Sequence, residues 1–443
     1  MQKRYRHICQ QSDPYAVCIQ KTLRGYIGND VIGIVQSYAT NGVLVCTNDK
    51  ASAVVQLNGS VATCGKLSYG GDSTYVQKEL KQVCAVYSTR RAFAAVLRNG
   101  SVVTWGKSDS GGDSSRVQDE LHRVVRVDAN DGAFAATRED GTIVTWGSIK
   151  CGADSRSVQA QLRHVVSISS TRSSFSAKLQ NGSVVCWGGW YEPAINKTIN
   201  VDVIYANRSV FAGKLMDGTV HTWKDMRNYG NNGFDISCIR HKLVGVKHIY
   251  STHDAFAALL YNGRVVTWGN PKHGGDSQHV QNQLKNVKAV HHNDSAFVAL
   301  LENETIVAWG CDQSGANTDS VNNQLHGVTS ITATSDGFAA LLKTGTVVTW
   351  GGCTSTDIVD IRAIYSNRGA FIGLRNNNRS VVTWGLENHG GGIEKSFSAS
   401  VEDIYSTSCS FLVKLSSGIV SSWGNDGIEE DLHPICECGS VIH

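Results

Sequence analysis

The chain has 443 residues, of which 45 are Gly and only 4 are Pro, and 41% are apolar; this balance excludes a disordered or collagen-like protein and supplies a large core. Lys and Arg number 41 against 38 Asp and Glu, a formal charge of +3, so net charge carries no electrostatic footprint for nucleic acid or an anionic membrane. No apolar run reaches membrane-spanning length, and the basic start at Lys3, Arg4, Arg6 and His7 is not followed by the apolar segment of a secretory signal.

Residues 1–30 are read as an N-terminal segment placed to complete a ring, 31–424 as an array of about ten repeat units, and 425–443 as a C-terminal tail. The first unit ends with Cys64 where later units carry Trp. The second ends in Ser101-Val-Val-Thr-Trp-Gly106, and that phrase returns at 142–147, 183–188, 264–269, 346–351 and 380–385, with looser copies ending at Trp223, Trp309 and Trp423. Successive copies of the Trp position lie 41, 41, 41, 36, 45, 41, 41, 34 and 39 residues apart, so one supersecondary unit recurs with a period near 41. Cys64, Trp223 and Trp384 open stretches of 159 and 161 residues, which points to duplication of a four-unit block.

Within the unit ending at Trp146, residues 124–129, 133–136 and 142–146 read as strands rich in β-branched and aromatic residues. Asp140-Gly141 separates the last two. The same kind of pair recurs at Asn58-Gly59, Asn99-Gly100, Asn181-Gly182, Asp217-Gly218 and Asn262-Gly263, and its tolerance of positive φ predicts a tight antiparallel hairpin. After the Trp-Gly, Gly111-Gly-Asp-Ser opens a short predicted helix capped by Asp113 or Ser114, with Val117 and Leu121 on one face. That segment recurs at 72–80, 154–162, 276–284 and 319–325 and is missing from the short units ending at Trp223 and Trp384. Such a meander cannot bury both its faces alone, so units must stack or radiate around an axis, and closure protects their edges. The predicted fold class is all-β, a β-propeller of tandem repeats.

The stretches 133–147 and 338–351, each joining Phe-Ala-Ala through a Gly-containing turn to Val-Thr-Trp-Gly, resemble repeats of the regulator of chromosome condensation (RCC1-like) family, and the resemblance extends over roughly 31–424. It implies a β-propeller. Members of that family serve as nucleotide-exchange factors for a small GTPase, as chromatin binders, or as partner-recruiting domains in larger proteins, including ubiquitin ligases. The usual member has seven longer blades, whereas the units here are shorter and more numerous, and Gly-Gly-Asp-Ser replaces the family's Gly-Gln-Leu-Gly-like stretch. After Trp423 there is no room for a ligase domain, so any ligase function is expected to come from another protein.

Nine of the ten Trp hold the repeat position and read as packing anchors. Trp190, in Gly188-Gly-Trp-Tyr-Glu-Pro193, stands apart as either a loop-packing residue or an exposed contact. Three residues before each central Phe lies a polar position that changes from unit to unit: Arg90, Asp131, Arg172, Arg208, His253, Asp294, Ser335, Arg368 and Ser408. It falls in the turn between the first two strands, so a repeat architecture gathers all copies at one end, as a solvated turn or as a partner-binding ring. Of these, Arg90, Asp131, Arg172, Arg208, His253, Asp294 and Arg368 are the candidate site residues.

The 13 Cys, at 9, 18, 46, 64, 84, 151, 186, 238, 311, 353, 409, 436 and 438, are odd in number and have no framework spacing, which favours free thiols. The sequons at Asn99 and Asn181 lie inside predicted hairpins, which with the thiols favours an intracellular protein, cytoplasmic or nuclear. Cys436 and Cys438 could join Cys9 or Cys18 around a metal, but the Cys-x-x-Cys knuckle is absent, and no metal is expected. His291-His292 and the other His are dispersed. No nucleophile elbow, phosphate loop or dinucleotide fingerprint occurs in its required context, and a feature repeated with the scaffold is architecture. The sequence therefore reads as a non-catalytic scaffold for a protein partner, without a cofactor. The alternatives are a guanine-nucleotide exchange factor for a small GTPase and a structural or DNA-packaging assembly protein, a viral one included.

Overall fold

In most units the middle strand is apolar on both faces, and that pattern decides how the units pack. In the unit at 124–147, Phe134 and Ala136 pack with Trp146 against Ala92, Ala94 and Val96 of the preceding unit. Ala133, Ala135 and Ile143 face the other way, onto Phe175, Ala177 and Trp187 of the next. A strand buried on both faces is sandwiched by necessity, and alternating Ala with large residues lets the sheets approach closely.

The computed structural model describes residues 35–36, 44–56, 58–189, 197–224, 235–355, 357–417 and 419–424. They form ten antiparallel sheets, numbered here as blades 1 to 10, at 35–65, 83–106, 124–147, 165–198, 201–224, 246–269, 287–310, 328–351, 361–396 and 401–424. Blade 3 shows the common plan, a meander of Val124–Ala129, Ala133–Arg138 and Ile143–Gly147. Phe134 pairs with Trp146 in its register, and a bulge interrupts the first strand between Val124 and Arg126. A fourth strand is added by Val35–Gln36 in blade 1, Lys197–Thr198 in blade 4 and Glu394–Ser396 in blade 9.

The first strands line the axis, and hydroxyl groups tie them to one another. Ser88 Oγ donates to Thr47 O at 2.9 Å, Ser170 Oγ to Ala129 O at 2.8 Å, Ser251 Oγ to Ala206 O at 2.9 Å and Ser406 Oγ to Ser366 O at 2.9 Å. Thr47 Oγ1 then donates to Ser406 O at 3.1 Å, and Val45 packs with Tyr405 and Leu412. Blade 10 therefore meets blade 1, and the ten blades close as one ring.

Each blade is also fastened at its other end. A hairpin carbonyl accepts the N–H that opens the next blade, from Gly as in Val83 N to Gly59 O, Val124 N to Gly100 O and Val287 N to Gly263 O, all 2.9 Å, or from Glu304 and Asn378 before blades 8 and 10. These hairpins differ from the expected two-residue turn. Gly100 alone has positive φ, +79°, Leu97 N bonds Ser101 O across a three-residue loop, and Asn99 Oδ1 accepts Ser101 N instead of adopting the left-handed conformation. The predicted connector helices form as 3-10 turns at 74–76, 115–120, 278–280 and 322–324, the longest being Ser115–Glu120, whereas the copy at 154–162 makes hydrogen-bonded turns only. Asp113 accepts the N–H of Ser115, while Ser114 Oγ bonds Thr104 and Gln118; Leu121 is buried as expected.

An unforeseen second 3-10 turn directly follows the Trp-Gly, or Cys64-Gly65 in blade 1, and ends on a Gly of positive φ that is the first of a Gly-Gly pair at Gly70, Gly111, Gly274 and Gly390 and precedes Ala at Gly152 and Gly315. That glycine is a latch: Trp105 Nε1 donates to Gly70 O at 3.1 Å, Trp146 to Gly111 at 3.0 Å, Trp187 to Gly152 at 3.1 Å, Trp309 to Gly274 at 3.1 Å, Trp350 to Gly315 at 2.9 Å and Trp423 to Gly390 at 3.2 Å. The Trp anchors are thus buried as expected, and each of these six also bonds the connector that leads into its own blade. Trp190, Cys9, Cys18, Cys436 and Cys438, with residues 1–30 and the tail 425–443, lie outside the described residues.

Candidate functional site: the turn ring

A buried polar residue holds each turn between first and second strand. Around the ring these are Asn48, Thr89, Asn130, Thr171, Asn207, Thr252, Asn293, Thr334, Asn367 and Thr407, Asn and Thr in strict alternation, all buried. Asn130 Oδ1 accepts the N–H groups of Gly132 and Ala133, while its Nδ2 donates to Cys151 O at 2.7 Å. Thr89 Oγ1 accepts from Ala92 N and donates to Ser110 O at 2.8 Å. Turn and connector are clamped together by one side chain, so the next residue is presented on fixed backbone.

That next residue is the variable position. Its copies run Asp49, Arg90, Asp131, Arg172, Arg208, His253, Asp294, Ser335, Arg368 and Ser408 around the axis. Main-chain bonds link seven neighbouring pairs: Arg90 N bonds Asp131 O at 3.3 Å, Arg172 N to Arg208 O at 3.1 Å, Arg208 N to His253 O at 3.2 Å, His253 N to Asp294 O at 3.0 Å, Asp294 N to Ser335 O at 3.3 Å, Ser335 N to Arg368 O at 2.9 Å and Arg368 N to Ser408 O at 3.3 Å. Ser408 Oγ donates to Asp49 O, and side-chain ion pairs join the remaining neighbours, Arg90 to Asp49 and Arg172 to Asp131. The ring opens onto an axial cavity of about 410 Å3 lined from every blade but the second.

The sequence-predicted residues are therefore brought together at one end. Asp131, Arg172, Arg208, His253, Asp294 and Arg368 line the cavity, and Arg90 lies between two carboxylates, 2.9 Å from Asp49 and 3.6 Å from Asp131. Asp49 was not foreseen because blade 1 has Ser52 in place of the Phe used to find the phase; the spacing of 41 residues back from Arg90 is the signal that locates it.

Charge is unevenly matched around this ring. Asp131, already facing Arg90, is also 3.8 Å from Arg172; burial still raises its carboxyl above the ordinary range, against the pull of both arginines. Burial works on Asp294 too, but the hydrogen bond from His253 at 3.0 Å and the charges of Arg208 and Arg368 hold its carboxyl below the usual value. Arg208 is pushed down to about 10 by burial and by the neighbouring Arg172. Among the described residues neither Arg208 nor Arg368 has a carboxylate within ion-pair distance. The ring as a whole holds four guanidinium groups against three carboxylates, with the excess on the side of blades 4 and 5.

Among the described residues, no group of His, Cys, Asp or Glu side chains is placed to hold a metal; the thiols of Cys46, Cys186, Cys238, Cys311, Cys353 and Cys409 are free; and no helix is long and apolar enough to cross a membrane. His291 and His292 sit in the first strand of blade 7, and burial pushes His291 down to about 4.

No protein-family model and no curated protein matches the chain. Solved structures do. The CRINKLY WD40 ectodomain of the Arabidopsis thaliana receptor kinase ACR4 is similar at 13% identity over 57% of this chain and 92% of that one, with a TM-score of 0.34. Prp20p from Saccharomyces cerevisiae, described together with its binding properties to Gsp1p and histones, is similar at 14% identity over 73% and 80%, with a TM-score of 0.36. Yeast RCC1 (Prp20) bound to Kap60 is similar at 15% identity over 97% and 89%, with a TM-score of 0.35. By its own ten sheets and closed circle of blades, this chain is an all-β propeller of tandem repeats.

Proposed function

We propose that the chain is a non-catalytic, intracellular scaffold that binds a protein partner through the turn-ring end of the propeller. The observation that carries this reading is the contrast at one phase of the repeat. The Asn or Thr anchor before the ring residue recurs around the whole circle, and the Phe two residues beyond its neighbour recurs in nine blades, while the ring residue between them changes from Asp to Arg, His or Ser. A rigid frame that presents changing charge is what a recognition surface requires. The free thiols of Cys46, Cys186 and Cys353, buried in the blades, agree with a reducing compartment.

Reversing Arg172 and Arg208 together, as Arg172→Glu with Arg208→Glu, tests it. Both side chains are partly exposed, but Arg172 shares Asp131, so a stability loss of about 1 kcal/mol is expected from that pair, while capture of the cellular partner should be lost. The control is charge reversal at Lys78 and Arg116 on the exposed connector rim. Gln159 of that rim is unsuitable, because its amide donates to Ile143 O at 2.8 Å and supports the fold. Capture lost from the rim variant and kept by the ring variant would place the binding face on the rim. A nucleotide-release assay with a small GTPase decides separately whether the partner is engaged for exchange.

A further inference from the structure

We infer that the axial cavity is a binding site for a phosphate ester, with Arg172, Arg208 and Arg368 as its ligands. The charge count around the ring leads there. Of the three ring carboxylates, Asp49 and Asp131 face Arg90, and Asp294 accepts from His253. Arg172 has only a distant share of Asp131. Arg208 and Arg368 have no carboxylate within ion-pair distance among the described residues, although both line the same cavity.

Arg208 and Arg172 are neighbours on adjacent blades, joined through Arg208 O, so two like charges stand side by side at the cavity wall. Arrangements of this kind are unfavourable unless an anion enters between them. Arg368 approaches from blade 9, on another side of the axis, and its charge is felt at both Arg208 and Asp294.

The geometry selects the class of anion. A carboxylate offers one charge and is matched by one guanidinium fork, whereas a phosphate monoester carries nearly two charges and three terminal oxygens that can be met from several directions. Main-chain donors cannot serve, because the N–H groups of Arg172, Arg208 and Arg368 are already spent in the blade-to-blade ring. Recognition must come from the side chains, and a guanidinium is the group suited to phosphate. The cavity, at about 410 Å3, falls within the range of small-molecule sites and admits the phosphate with part of what carries it. The carrier is either a free small phosphorylated molecule or a phosphorylated side chain of a partner; only the second rests on the reading of the turn ring as a protein-binding end.

The test is calorimetry at constant ionic strength on the full chain, with inorganic phosphate, free O-phosphoserine, a phosphoserine peptide and its unphosphorylated form as probes. Saturable binding of the phosphorylated probes is expected. Arg172→Gln with Arg208→Gln should weaken it by about tenfold or more, the loss expected for charge-assisted bonds. Arg208→Lys, which keeps charge without the fork, should fall between, and melting temperatures of the variants close to the parent's show that the fold is kept. Peptide binding tighter than free phosphoserine identifies a partner side chain as the carrier, and equal binding a small molecule. No saturable binding, equal binding by the double variant, or equal binding of the unphosphorylated peptide overturns the inference. Partner capture without phosphate binding would remove this site and keep the binding-end reading, and phosphate binding without capture would do the reverse.

Discussion

Blades 3 and 9 use the same Phe and Trp and close their seams differently. In blade 3, Trp146 stacks on Phe134 with centroids 5.1 Å apart and donates its indole N–H to Gly111 O. In blade 9, Trp384 stacks on Phe371 at 5.4 Å, yet its buried N–H has no partner among the described residues. The described part of the connector into blade 9 has no 3-10 turn with its closing Gly, and Cys353 and Ile358 fill the seam beside Trp384. Blade 9 also has Gly373 where blade 3 has Ala136; a Cβ there would lie 3.2 Å from Trp384 Cζ3. Blade 5, the other blade with a short approach, repeats the device with Gly213, whose Cβ would lie 2.8 Å from Trp223 Cζ3. The Trp therefore does two separable things. It packs in every blade that has it, and it latches where the connector supplies a carbonyl; without the latch, the adjacent strand gives up a methyl group to seat the ring.

The comparison breaks most visibly at the glycines. Gly111 has φ +96°, and a Cβ on it would come 2.5 Å from the Phe134 ring. Gly111→Ala pays for both strain and overlap, so a loss of about 3 kcal/mol or more is expected in a denaturant melt. Gly352, in the short connector, faces only the flexible end of Asp336 at 2.6 Å, and Gly352→Ala should cost about 1 kcal/mol or less. Equal losses at the two positions would mean that the turn-closing Gly is not what sets the latched seams apart.

Acid sharpens the picture at the seam between blades 5 and 6. Tyr205 of blade 5 has its hydroxyl 3.2 Å from His248 Nδ1 of blade 6, and burial, helped by Lys214, pushes His248 down to about 4. His291 is depressed to a similar value by burial. An unfolded histidine takes its proton near pH 6.5, so the unfolded chain binds protons that the folded chain refuses. Stability is full above about pH 6.5 and declines as pH falls toward 4. The melting temperature should drop by several degrees across that window, before most carboxylates protonate, and His248→Asn should remove part of the drop. A flat profile from pH 7 to 4.5 would show that these histidines are not held neutral.

Much of this molecule is legible in sequence because it is set by short-range apolar pattern. The period near 41 residues, the double-faced middle strand and the phase of the variable turn all come from residues within one unit, and the candidate residues from Arg90 to Arg368 do fall at one end. What stayed hidden depends on contacts between units. Asp49 belongs to the ring, but Ser52 and Cys64 remove the two aromatic markers from blade 1. The latch joins Trp146 to a main-chain carbonyl 35 residues away, and a carbonyl leaves no signature in side-chain type. Gly-Gly reads as the approach to a helix cap because the close pass of Phe134 over Gly111 is visible only in three dimensions. The number of blades in one ring depends on the angle between sheets, which no single repeat encodes.

The smallest effect isolates the latch itself. Trp146→Phe and Trp384→Phe remove the same atoms from equivalent seats, so the packing loss is common to both and cancels in the difference. What remains is the hydrogen bond. In blade 3 the substitution deprives Gly111 O of its donor in a buried seam; in blade 9 it removes an N–H that has no partner among the described residues, which relieves a desolvation cost. Trp146→Phe should therefore be the more damaging by about 1–2 kcal/mol, the range set by losing one buried hydrogen bond against losing an unsatisfied donor. Hydrogen exchange at Phe134 and at Phe371 locates the change: protection should fall at the seam between blades 2 and 3 in the first variant and stay near the parent's at the seam between blades 8 and 9 in the second. Should the two substitutions cost the same, the Trp would be a packing residue throughout, and the connector glycines would owe their place to the Phe ring alone.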